Sequence, residues 1–156
     1  MSITNDDVRL SSSASTRISL EAIRNGEAGL NERRTKLLNR VPNQNDWAAL
    51  EKDSVTAKDI AYLSAATKDE FALLQGKSND IIFHGKGEHC NFGEDLLELL
   101  VKKKYRLVVH SHPDYGAIEP SDDDRAFLRL IDQKESLIIS YITGVIISFT
   151  QNTFDI

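Results

Sequence analysis

A chain of 156 residues, 40% hydrophobic and 28% charged, carries enough apolar material for one domain with its own core. A formal net charge of −5 argues against a nucleic-acid partner, because phosphate backbones select basic surfaces. The polar start and the lack of any apolar run near the length of a bilayer span predict no membrane partner and a cytoplasmic location, and the lone Cys90 excludes an intramolecular disulfide.

Residues 1–42 read as a polar, mostly helical N-terminal extension or tether. Met1 to Ser15 is serine-rich and is expected to be a mobile start. Ser19 to Ile23 and Leu30 to Leu38 predict short helices broken around Gly26 and Gly29, with Arg33 and Arg34 on a solvated face. Val41-Pro42-Asn43 marks a boundary, and residues 43–156 have the pattern of one α/β (α+β) unit.

Within that unit, Trp47 to Leu50 predicts a short helix. Thr56-Ala57-Lys58-Asp59 is a capping signal for a helix through Ile60, Leu63 and Ala66. Phe71 to Leu74 and Ile81 to His84 predict two strands joined by a turn at Gly76 to Asn79. Gly93 to Lys104 predicts an amphipathic helix whose closing Lys102, Lys103 and Lys104 suit the negative end of its dipole. Leu137 to Ile142 and Val145 to Phe149 predict a hairpin turning at Thr143-Gly144.

Between the amphipathic helix and the hairpin lies the segment that carries chemistry. Tyr105 to Val109 predicts a buried strand running into His110-Ser111-His112-Pro113, and residues two apart on a strand share a face, so both imidazoles aim the same way. Pro113 stops the strand and opens the loop 114–120. Ser121 to Asp124 then forms a capping box before Phe127, Leu128, Leu130 and Ile131, which puts Asp124 at the mouth of a helix. Two imidazoles and a carboxylate, with one position left for water, suit catalytic zinc: His110, His112 and Asp124 are the candidate ligands. Asp122 and Asp123 favour the helix N-terminus electrostatically. Tyr115 and Ile118 either line a substrate groove or anchor the loop. His84, His89 and Cys90 lack a fourth ligand at zinc-finger spacing and are not expected to form a second centre.

This arrangement of His-x-His-Pro, a loop and Ser-x-x-Asp resembles the JAMM/MPN+ metalloproteases, over roughly Ala65 to Phe149. The loop is one residue longer than the family's usual spacing, which counted strictly would put Pro120 at the serine position and make Asp123 the alternative ligand, but loops accept such an insertion cheaply, and the register with Ser121 and Asp124 keeps the helix-cap spacing. The resemblance implies a compact JAMM-like sheet flanked by helices, Zn2+ held by His110, His112 and Asp124, Glu70 as general base with Asp69 as its competitor, and Ser121 as oxyanion helper. It also implies hydrolysis of an amide in a protein or peptide, including isopeptide conjugates of ubiquitin-like proteins. A catalytically silent JAMM-like binding or scaffold module is the alternative, as in family members that have lost ligands, and the retention of every ligand type here argues against it. Thr67 to Ala72 and Gln133 to Ser136 are similar to JAMM-like domains attached to bacteriophage head proteins and bacterial polymorphic toxins, which implies an accessory role in such a system as a further alternative.

Overall fold

A computed structural model describes residues 28–114 and 118–152. Six strands form one mixed sheet: β1 (Asp46–Glu51), β2 (Phe71–Gln75), β3 (Asn79–His84), β4 (Arg106–His112), β5 (Glu135–Ser140) and β6 (Ile146–Thr150). Their spatial order is β1-β3-β2-β4-β5-β6. Only β4 and β5 run parallel, and the connection between them carries one of the four described helices. Those helices are α1 (Ala28–Asn39), α2 (Ala57–Thr67), α3 (Gly93–Lys102) and α4 (Asp122–Leu130).

The sheet is buried on both faces, which explains why its central strands read as near-continuous apolar runs. On one face α2 packs over β2, β4 and β5, joining Ile60 and Leu63 to Leu73, Val109 and Ile139. On the other, Leu96 and Leu100 of α3 and Leu128 of α4 meet Phe83, Ile138 and Phe149. Both predicted capping boxes are present: Thr56 with Asp59 starts α2, and Ser121 with Asp124 starts α4.

Two expectations are corrected. Residues 47–50 lie in strand β1, not in a helix, with Trp47 opposite Phe83 and Leu50 opposite Asp80. Six residues are too few to nucleate a stable helix, and pairing with β3 overrides the alanines' helical preference. Arg33 does not face solvent: it is 2% exposed and donates to both carboxylate oxygens of Asp59, at 3.2 and 2.7 Å, and to the Ser54 carbonyl at 2.7 Å. Together with the buried Leu37, this fastens α1 to the α2 layer. The predicted helix at residues 19–23 lies outside the described residues, as does Tyr115.

One irregularity positions the site. Leu74 pairs with Leu107 but Leu73 pairs with Val109, so Val108 is an extra residue in β4. Leu107 then faces the α3/α4 side, Val109 the α2 side, and His110 and His112 the α3/α4 side again. Without this bulge the alternation of the strand would carry both imidazoles to the α2 face.

Candidate metal centre

Strand β4 delivers His110 and His112, and the capping box of α4 delivers the third group. Ser121 Oγ accepts from the Asp124 amide at 3.0 Å, and Asp124 Oδ2 accepts from the Ser121 amide at 2.9 Å. This reciprocal bond fixes the carboxylate at the start of the helix, where it faces the two rings. Asp124 Oδ1 lies 3.0 Å from His110 Nε2, Asp124 Oδ2 lies 3.1 Å from His112 Nε2, and the two Nε2 atoms are 3.1 Å apart. Among the described residues, His110, His112 and Asp124 are the one set of three or more metal-type donors that converges.

The donor set fits a small divalent cation. Bonds of about 2.0–2.2 Å in tetrahedral geometry separate ligand atoms by roughly 3.3–3.6 Å, slightly wider than the separations seen here. Two nitrogens and a carboxylate suit zinc. His112 Nδ1 lies 3.2 Å from Asp114 Oδ2, a partner that orients the ring and directs Nε2 inward. Among the described residues His110 Nδ1 is buried without a hydrogen-bond partner, and the polar contacts of that ring are made through Nε2 at the convergence point. Its ring also meets the edge of Phe149 at 5.6 Å between centroids.

Charge is concentrated at this point. Burial would lower His112, but the hydrogen bond with Asp124, the charges of Glu70 and Asp124, and Asp114 raise it to about 9. Burial works against the charge on Asp124 as well, yet hydrogen bonds from His110 and His112 hold its carboxyl far below the usual carboxylate range. Glu70 is 6% exposed, and burial pushes it up to about 8, with His112 opposing and Asp124 adding to the rise. Burial and the neighbouring Glu70 also push the Cys90 thiol up.

The three donors open onto a cleft of about 1030 Å³ that is also lined by Glu70, Ser121 and Phe127. The two carboxylates that sequence left open as bases therefore separate. Glu70 faces this cleft, whereas Asp69 borders a different one and is taken up by the Gly87 amide at 2.7 Å, Gln44 at 3.0 Å and His84 at 2.7 Å. Asp123 lines the cleft from an exposed position, but the converging carboxylate is that of Asp124. Ile118 is 7% exposed and anchors the loop in the core instead of lining the cleft. His84 pairs with Asp69, and no second metal-type cluster forms among the described residues. In the sequence Asp114 has no assigned role and Cys90 is raised only as a ligand of a second centre, yet both line this cleft. The position of Asp114 just after His-x-His-Pro was the available signal for it.

The molecule is thus an α+β domain with a convergent His/His/Asp set at the end of a central strand. Compared with protein-family models, with curated proteins and with solved structures, the chain finds no match. Among the described residues no helix is long and apolar enough to cross a membrane.

Proposed function

We propose that this protein is a zinc-dependent amide hydrolase, a peptidase or isopeptidase of the JAMM/MPN+ type, with His110, His112 and Asp124 as metal ligands. The observation that carries this reading is the meeting of two Nε2 atoms and one carboxylate within 3.1 Å of one another, in a cleft that also holds a buried glutamate. Zinc bound there supplies a Lewis acid that acidifies water and polarises an amide carbonyl.

The chain's own residues supply the remaining chemistry. Glu70, whose ionised form the charge of a bound cation would favour against burial, takes a proton from the water that attacks the carbonyl carbon and returns it to the departing amine nitrogen. Ser121 Oγ accepts from the Asp124 amide, which leaves its hydroxyl hydrogen for the oxygen that becomes negative. Asp114 holds the His112 ring in the orientation that ligation needs. The substrate class is a protein or peptide amide, with conjugates of ubiquitin-like proteins included.

A metal-silent binding module is the second reading. His112 and Asp124 already satisfy one another as an ion pair, and that favours a network able to stand without a cation. Hydrolysis separates the two. Zinc-loaded protein is expected to cleave members of a pooled, internally quenched peptide library or an isopeptide-linked panel, with cleavage abolished by chelator and by Glu70→Gln. No cleavage of either set by zinc-loaded protein, with metal content verified, favours the silent module.

A further inference from the structure

Asp69 and His84 line the second cleft, a different one from the cleft that holds Glu70 and the candidate metal ligands, and no step described so far uses them. Their contacts are unusually complete. Asp69 Oδ1 accepts from the Gly87 amide at 2.7 Å, and Asp69 Oδ2 accepts from Gln44 at 3.0 Å and lies 2.7 Å from His84 Nε2. The other nitrogen of that ring, Nδ1, is 2.7 Å from the Pro42 carbonyl. Both ring nitrogens thus face acceptors: a carbonyl has no proton to give, and hydrogen bonds from Gln44, the Gly87 amide and His84 hold the Asp69 carboxyl below its ordinary range despite burial. The ring bridges the carboxylate and the carbonyl.

The same few residues bracket Glu70. Its amide donates to the Gly87 carbonyl at 2.8 Å, and its carbonyl accepts from the Gly85 amide at 2.7 Å. His84 also stacks on Phe71, the next residue, with ring centroids 4.4 Å apart and planes 15° apart. Gly85 closes the bracket: a Cβ there would meet the His89 carbonyl at 2.3 Å and the Glu70 carbonyl at 2.9 Å, so the backbones approach as only glycine permits. Residues before, at and after Glu70 are therefore each tied to the segment 84–87, while Pro42, through His84, and Gln44, through Asp69, tie the pair to the exit of α1.

We propose that Asp69 and His84 form a positioning pair for Glu70, fixing the backbone from which its carboxylate enters the cleft. The inference rests on the hydrolase reading above. A base displaced by about 1 Å can lose 10²-fold in rate, so the pair acts on turnover more than on binding.

The test uses the zinc-loaded 156-residue chain with His84→Ala and Asp69→Asn, and the best-cleaved peptide of a pooled quenched library as substrate. Both variants are expected to lose 10- to 100-fold in kcat, with KM and zinc content within about twofold of the parent. Imidazole added to His84→Ala is expected to restore part of kcat, because the second cleft opens beside the ring. Amide hydrogen exchange gives a readout independent of activity: Glu70 and Gly87 should exchange at least tenfold faster in both variants, while the Ser121 and Asp124 amides stay as in the parent. Unchanged exchange at Glu70 and Gly87, or faster exchange with kcat unchanged, overturns the positioning role alone. A parent that binds zinc and cleaves nothing overturns the hydrolase reading and this inference with it. Loss of zinc and of structure in His84→Ala but a parental kcat in the isosteric Asp69→Asn assigns the pair to stability and overturns the proposal.

Discussion

Replacing Glu70 by glutamine should make the metal-free protein more stable and the zinc-loaded protein inactive. Glu70 is 6% exposed, and burial lifts its carboxyl from 4.5 to about 8. The folded state therefore holds a proton that the unfolded state releases across that window, and the contribution of Glu70 to stability falls as pH rises from about 4.5 through about 8. At 1.36 kcal/mol per unit, a rise of that size corresponds to roughly 5 kcal/mol above pH 8, a large share of a typical domain's 5–15 kcal/mol. Glutamine fills the same space without a charge, so the variant should match the parent near pH 4.5 and exceed it by roughly 3–5 kcal/mol at pH 9. Urea unfolding followed by far-ultraviolet circular dichroism, with chelator present, measures the difference at each pH. In the zinc-loaded form the same substitution should cost 10²- to 10⁴-fold in hydrolysis, the usual contribution of a general base. A stability difference that does not change between pH 4.5 and 9 would refute the reasoning, because it would mean that Glu70 is not ionising in a buried site.

Zinc uptake should release a proton. With His112 raised to about 9, its ring is protonated at pH 7 and must lose that proton to ligate, so affinity should weaken by about tenfold per pH unit as pH falls below 9. Titration calorimetry in two buffers of different ionisation enthalpy reads the proton, and equal heats in both would contradict the prediction. Asp59→Ala should cost about 3–5 kcal/mol in urea unfolding, because it strands the buried Arg33 cation; a cost below about 1 kcal/mol would show that α1 is not fastened by this pair.

Much of the architecture was legible because local chemistry and tertiary structure agree. Thr56 with Asp59 and Ser121 with Asp124 announce two helix starts, and both form the reciprocal bonds that the pattern encodes. Pro113 and Gly144 likewise fall outside the strands, at the end of β4 and in the β5–β6 turn. The convergence of His110, His112 and Asp124 followed from the pairing of a strand end with a helix mouth. The bulge that makes it possible did not. Leu107-Val108-Val109 is apolar throughout, and since both faces of the sheet are buried, nothing in the run marks which residue is the extra one. Residues 46–51 were hidden for a related reason: Ala48 and Ala49 favour a helix locally, and only the distant partner β3 makes them a strand. Arg33 looked like a surface cation because its counter-charge, Asp59, is 26 residues away in the chain. Asp69 and Glu70 could not be told apart by spacing, since neighbouring residues at a strand start differ only in the side to which they point.

The central claim is that one divalent ion is held by two imidazoles and a carboxylate. Elemental analysis of the purified protein after zinc loading and desalting, beside His112→Ala and Asp124→Asn, tests it most directly. The account predicts about one zinc per chain in the parent, lost in both variants while their circular dichroism spectra stay those of a folded chain. Equal zinc in parent and variants, or no zinc in a folded parent, would contradict it.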